Sequence, residues 1–322
     1  MKSQNNNRKK TYRILSLFFG IILVCCLIWL AAYLIGLKKA ENEMDAIFNS
    51  YISEGSTQAA GGGAAAAADN ASGADITGTA GESGISTAAG SEGADAAEDT
   101  DNSDNDGVAA EGETPPDDLS VYGITDRSID WAALQEEENK DIYAWIVVPG
   151  TAIDYPVLQH PEEMDYYLEH NLDGSKGRPG CIYTQRMNSK DWSDRNTVLY
   201  GHNMRVGTMF AGLHDFEDAD FFEENRYIHI YSEDGRILIY EIFAAYAFSD
   251  AHILLTYDFY TEEGYEQYLD TVRKSAEKQG YFREEAAPGK EDNIITLSTC
   301  IRGSNSQRYL VQGVLIAEGE QP

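Results

Sequence analysis

From about Glu54 to Asp118 the chain is built of Gly, Ala, Ser, Thr, Asp and Glu, and large apolar residues almost vanish. Such a tract cannot bury enough surface to offset the entropy lost on ordering, so it reads as disordered. The alanines at 64–68 favour helix, but the glycines around them oppose it. As a flexible coil of ~60 residues the tract reaches about 40–45 Å, and more where its like charges repel. Anything that folds must therefore lie on either side of it.

On the N-terminal side, Ile14 to Leu37 is an uncharged run of 24 residues, long enough to span a bilayer as a tilted helix. Trp29 and Tyr33 lie towards its distal end, where interfacial aromatics are common. Lys2, Arg8, Lys9, Lys10 and Arg13 precede it and outweigh Lys38 and Lys39 behind it, which keeps the N-terminus in the cytoplasm. The run exceeds the apolar core of a signal peptide and no small-x-small site follows, so it reads as an uncleaved anchor. The expected organisation is a basic cytoplasmic N-terminus (1–13), a transmembrane anchor (14–37), an acidic Gly/Ala/Ser-rich tether (38–118) and a folded domain (119–322). Residues 41–52 could extend the anchor helix by a few turns.

Charge sharpens this division. Residues 1–39 carry seven Lys or Arg and no acid, whereas residues 40–126 carry 19 acids and no Lys or Arg. The folded part is acidic as well, which argues against a nucleic-acid-binding surface. Of four cysteines, Cys25 and Cys26 fall in the apolar run, leaving Cys181 and Cys300. This is neither a disulfide framework nor a zinc site. A Cys181–Cys300 bridge is conceivable, but Cys181 in Pro179-Gly180-Cys181-Ile182-Tyr183 reads better as a small buried hydrophobe.

The folded part alternates short strands with few helices. Strands are expected at 142–148, 153–158, 180–184, 197–200, 227–231, 237–248, 294–299 and 308–316, with a hairpin turn over 232–236. Helices are expected from Asp130 to about Asn139, briefly at 164–168, and from Thr261 to about Gln279. Thr261 caps the last of these, Glu262 and Glu263 fill its first turn, and Gly280 stops it. Tyr265, Tyr268, Leu269, Val272 and Ala276 share one of its faces. Many short strands with two or three helices point to a mainly β, α+β fold closed into a barrel.

Chemistry concentrates near the C-terminus. Asn293-Ile294-Ile295-Thr296-Leu297-Ser298-Thr299-Cys300 reads as a strand ending in a thiol, followed by a loop with Gly303, Ser304, Asn305 and Ser306, and a strand opening on Arg308. A nucleophilic thiol needs a base and a donor for the oxyanion it creates. Arg308 supplies donors without giving up a proton, with Arg302 as a rival. Among six histidines, His202 follows a strand and a glycine in Tyr200-Gly201-His202-Asn203-Met204, placing it at a strand end. Taken singly, each residue has a plainer reading: a small core cysteine, a satisfied histidine, a surface arginine.

Together these stretches resemble a class B sortase. The resemblance rests on Thr296-Leu297-Ser298-Thr299-Cys300 with Arg308, on Tyr200 to Met204 with Gly207-Thr208-Met209-Phe210, on Gly150-Thr151-Ala152-Ile153-Asp154-Tyr155-Pro156-Val157, and on Asp165-Tyr166-Tyr167-Leu168. It spans about residues 128–317. It implies an eight-stranded barrel with an N-terminal helix and a helix in the long loop before the cysteine strand. It also implies a cysteine transpeptidase without metal or organic cofactor. Cys300 would attack a C-terminal sorting signal similar to Asn-Pro-x-Thr, forming a thioacyl intermediate that a peptidoglycan amine resolves. His202 would exchange protons and Arg308 would hold the oxyanion, while Tyr200, Ser298 and Thr299 match positions lining the groove. Pilin polymerisation by the same site, hydrolysis, or a non-catalytic binding domain are the alternatives. The implied partners are secreted proteins bearing the signal, the wall amine, and the membrane through residues 14–37; the implied place is the outer face of a Gram-positive-type membrane.

Overall fold

The structure, a computed structural model, describes residues 119–124 and 127–321, residues 50–54, and residues 19, 22–28, 30–32 and 35. Most of the run expected to be the anchor, the basic N-terminus and nearly all of the tether lie outside the described residues. Among the described residues no helix is long and apolar enough to cross a membrane.

The strands are β1 (Ile52–Glu54), β2 (Arg127–Ile129), β3 (Ile142–Val148), β4 (Ile153–Leu158), β5 (Ile182–Thr184), β6 (Asn196–Tyr200), β7 (Tyr227–Ser232), β8 (Arg236–Ser249), β9 (Gly280–Phe282), β10 (Ile294–Cys300) and β11 (Gln307–Glu320). The helices are α1 (Trp131–Glu137), α2 (Tyr166–Glu169), α3 (Ala219–Glu224), α4 (Ile253–Thr256) and α5 (Glu262–Gln279), with a 3₁₀ segment at Phe210–Glu217. Among the described residues eight strands close in the order β11-β10-β6-β5-β4-β3-β7-β8, and β8 pairs back onto β11. β9 adds to β8 beyond the end of its pairing with β7. The expected eight-stranded barrel is therefore present.

Alternation along the strands sorts the core. Ile295, Leu297, Leu199, Tyr309 and Val311 pack into one cluster with Ile146, Ile230 and Phe210. Residues of opposite parity, Val198, Ile294, Leu310 and Val314, pack instead against Tyr265, Tyr268, Val272 and Ala276 of α5. One parity thus fills the barrel and the other seats the helix. Each large apolar side chain buried this way contributes about 1.5–3 kcal/mol.

α5 begins as its sequence dictates: the Thr261 hydroxyl accepts from Gly264 N at 3.1 Å. It ends differently. Gly280 is extended rather than left-handed, and a Cβ there would lie 2.1 Å from Ala245 O. The glycine is needed for the close approach of β9 to β8.

A buried polar chain fixes the strands that lead to the site. Thr296 Oγ1 donates to Asn196 Oδ1 at 2.8 Å, and Gln312 Nε2 reaches Thr296 Oγ1 at 2.6 Å and Tyr268 Oη at 2.8 Å. Tyr246 Oη donates to Gln312 Oε1 at 2.9 Å. These bonds join β6, β8, β10, β11 and α5. A one-residue slip of any strand would leave them unmade in the core.

The structure moves one boundary. Composition assigns residues 38–118 to the tether, yet β1 pairs antiparallel with β2 from Ile52↔Ile129 to Glu54↔Arg127. Ile52 is buried against Ile129 and Leu134, and Tyr51 Oη donates to Glu137 at 2.8 Å. Residues 52–54 therefore belong to the folded unit, held by a pairing of long sequence separation that composition does not reveal.

Candidate active site

β6 and β10 run parallel with Tyr200 beside Ser298. Two residues further along each strand's path stand His202 and Cys300. β10 and β11 run antiparallel with Cys300 opposite Arg308. The three expected catalytic residues thus leave one end of three neighbouring strands. All three line a groove of about 380 Å³, together with Tyr200, Ser298 and Thr299. The groove is completed by Leu168 of α2 and by Phe248 to Ile253, from the end of β8 to the start of α4.

Gly201, between β6 and His202, is packed too closely for a side chain. A Cβ there would meet Ile182 Cδ1 at 2.5 Å and the Phe210 ring at 2.7 Å. His202 Nε2 lies 2.8 Å from the carbonyl of Leu168. That carbonyl can only accept, so Nε2 carries the proton and Nδ1 is the nitrogen left for proton exchange. Burial lowers the pKa of His202, partly offset by the Leu168 bond, and so favours the neutral base form. The Asp165-Tyr166-Tyr167-Leu168 stretch thereby gains a role in orienting the histidine.

Cys300 is a free, exposed cysteine, and Cys181 is a free, buried one. Among the described residues no hydrogen bond joins the thiol to His202. Arg308 Nη1 donates to Gln307 O at 3.0 Å, which leaves most of its donor fork uncommitted. Arg302, the rival, turns away: it donates to Asn203 Oδ1 at 3.3 Å and Met204 O at 3.1 Å. It lines a separate cleft of about 540 Å³ with Asn203, Arg205, His214, Asp215 and Ile301.

The three expected groove residues differ in character. Thr299 Oγ1 donates to Gly201 O at 2.8 Å, Ser298 O accepts from Gly201 N at 3.2 Å, and Tyr200 stacks on Tyr183 at 5.5 Å. The Tyr200 hydroxyl and His252 Nδ1 are buried without a hydrogen-bond partner among the described residues.

Sequence reasoning misses part of this wall. Gln185 donates to Asp165 at 2.7 Å and accepts from His252 Nε2 at 2.8 Å, so three distant residues form one chain. His214 reads as a loop histidine, yet His214 Nε2 and Asn203 Nδ2 lie 3.1 and 3.0 Å from the carbonyl of Cys300. No spacing signal marks either case.

Residues 146–316 match the model of the sortase domain. The chain belongs to the sortase family. It is 34% identical over 184 residues to sortase B of Listeria monocytogenes, covering 56% of this chain and 72% of that protein. To sortase B of Staphylococcus aureus it is 34% identical over 166 residues, covering 51% and 65%. The crystal structure of Clostridium perfringens sortase B superposes with a TM-score of 0.52 at 32% identity, covering 58% of this chain and 99% of that one. A Staphylococcus aureus sortase B–substrate complex gives 0.51 at 29%, covering 58% and 84%. The relatives are of class B, and with them this chain is a cysteine transpeptidase.

Proposed function

We propose that the chain is a membrane-anchored transpeptidase that cleaves a C-terminal sorting signal of Asn-Pro-x-Thr type and joins the released acyl group to a cell-wall amine. The observation that carries this reading is the convergence of Cys300, His202 and Arg308 at one end of β10, β6 and β11 around a single groove. In the reaction Cys300 Sγ, its proton passed to His202, attacks the carbonyl carbon after the Thr. Arg308 donates to the oxyanion. The C–N bond breaks, and His202 returns the proton to the leaving amine. The incoming amine then forms the new C–N bond, the C–Sγ bond breaks, and the proton shed by nitrogen restores the thiol.

Tyr200 Oη and His252 Nδ1, buried and unpartnered in the groove wall, suit a polar side chain such as the Asn of the signal. For the acceptor, a sortase B has been solved complexed with triglycine, and a peptide-type amine is carried to this chain from there. Residues 14–37 are proposed as the anchor. The described side chains in that run, among them Leu23, Leu27 and Ile28, are apolar and exposed, as lipid contact requires.

The test is to incubate the full chain in detergent with quenched peptides of Asn-Pro-x-Thr and Leu-Pro-x-Thr type, with and without amine, and to seek a thioacyl adduct on Cys300 by mass spectrometry. The expected adduct vanishes in Cys300→Ala and transfers to amine. An unmodified Cys300 with every signal, while the thiol still reacts with a small alkylating agent, counts against the proposed substrate.

A further inference from the structure

The nucleophile sits on the last residue of β10, two residues past the end of that strand's pairing with β6. Two side chains take over. The carbonyl of Cys300 accepts from Asn203 Nδ2 at 3.0 Å and from His214 Nε2 at 3.1 Å, which uses both of its lone pairs. Both donors come from the segment that delivers His202. Phe210 N donates to His202 O at 3.0 Å, closing that loop. The 3₁₀ segment from Phe210 to Glu217 then carries His214 back to Cys300.

His214 is itself held on three sides. Nδ1 lies 2.6 Å from Glu217 Oε1, and the ring stacks on Tyr309 of β11 with centroids 5.1 Å apart. Both ring nitrogens are thus engaged, one at the Glu217 carboxylate and one at the Cys300 carbonyl. The other charged groups lining this cleft are Asp215, Arg205 and Arg302. With both ring nitrogens already engaged, its part in the reaction is one of position rather than proton transfer.

We propose that His214, oriented by Glu217, is a positioning residue that fixes the backbone of Cys300 so that the thiol stands in line with His202 and Arg308. The inference rests on Cys300 being the nucleophile. A displacement of about 1 Å at a reacting atom lowers rate by up to ~100-fold.

The test uses the full chain and three variants, measuring KM and kcat for the signal peptide and, separately, the rate at which iodoacetamide alkylates Cys300. His214→Phe keeps the stacking on Tyr309 but has no donor; His214→Gln keeps a donor. Phe is expected to lower kcat about 10- to 100-fold with KM little changed, and Gln to recover most of the loss. Glu217→Gln, which leaves the ring but loosens it, is expected to fall between and guards against a Phe variant that does not fold. Equal kcat in wild type and His214→Phe, or a Gln variant as slow as Phe, overturns the proposal. If the wild type forms no thioacyl species at all, the functional reading fails instead. The alkylation rates then still test positioning, with the same order of variants supporting it and equal rates overturning it.

Discussion

The hydroxyl of Thr299 donates to the carbonyl of Gly201 at 2.8 Å inside the protein. It ties the residue before Cys300 to the residue before His202. Thr299→Val keeps the shape and deletes the donor, leaving a buried carbonyl short of a partner at a cost of about 1–3 kcal/mol. The expected outcome is a lower urea midpoint with an unchanged m-value, together with slower thioacylation. Unaltered kinetics in a destabilised variant would show that the bond serves the fold alone.

Arg308 stands opposite Cys300 across the β10–β11 pair and makes no ion pair among the described residues. Arg308→Ala is expected to slow thioacyl formation by about 10²–10³-fold, the range for losing an oxyanion donor. Arg308→Lys should restore only part of this, because a point charge does not reproduce the planar fork. The change belongs in kcat rather than KM, since the oxyanion exists only beyond the ground state. Single-turnover mass spectrometry reads it directly. A loss confined to KM would assign Arg308 to ground-state binding.

The sequence reaches the individual strands, the turns and the long helix through local signals, while the eight-stranded barrel and the joint roles of Cys300, His202 and Arg308 come from the resemblance of several separated motifs. Ile294, Ile295 and Leu297 are β-formers, Gly303-Ser304-Asn305-Ser306 punctuate the loop, and Thr261 marks a helix start. It does not reach contacts made between segments of unrelated periodicity. His214 meets Cys300 across 86 residues, and His252 meets Gln185 across 67; neither leaves a pattern in its own neighbourhood. The Phe210–Glu217 segment escapes pattern reading because its buried side chains follow a 3₁₀ path rather than a helical face. Gly280 stops its helix as expected but for another reason, since only the fold shows the strand it must admit.

His229 offers a pH test away from the groove. It lies inside the protein on β7, its Nε2 3.2 Å from Tyr122 O, and burial pushes its pKa down to about 4. The unfolded chain takes up this proton near 6.5, the folded chain only near 4. Between those values the unfolded state binds more protons, so stability is full above about 6.5 and declines as pH falls towards 4, by roughly 3 kcal/mol. His229→Gln keeps a donor for Tyr122 O and removes the titration. Urea midpoints from about pH 7 to pH 4 should fall less steeply in this variant than in the wild type. Parallel curves would place the acid sensitivity in other groups.

The pairing of β1 with β2 makes the residues before the tether part of the domain's stability. Ile52 is 8% exposed and packs with Ile129, Leu134 and Trp145. Ile52→Ala should cost about 2 kcal/mol, the lower end for a buried isoleucine at the margin of a core. For a domain of this size that corresponds to a fall in Tm of roughly 4–8 °C. A chain begun at residue 119 loses the whole strand and should melt lower still. A peptide spanning residues 48–56, added in trans at high concentration, should raise its Tm again by mass action. Because β2 leads through α1 into β3 rather than into β6, β10 or β11, the shortened chain should keep its thioacylation rate at temperatures well below its Tm. Melting points equal to the full chain would mean that β1 contributes no net stability, and a lost rate at low temperature would mean that it reaches the groove.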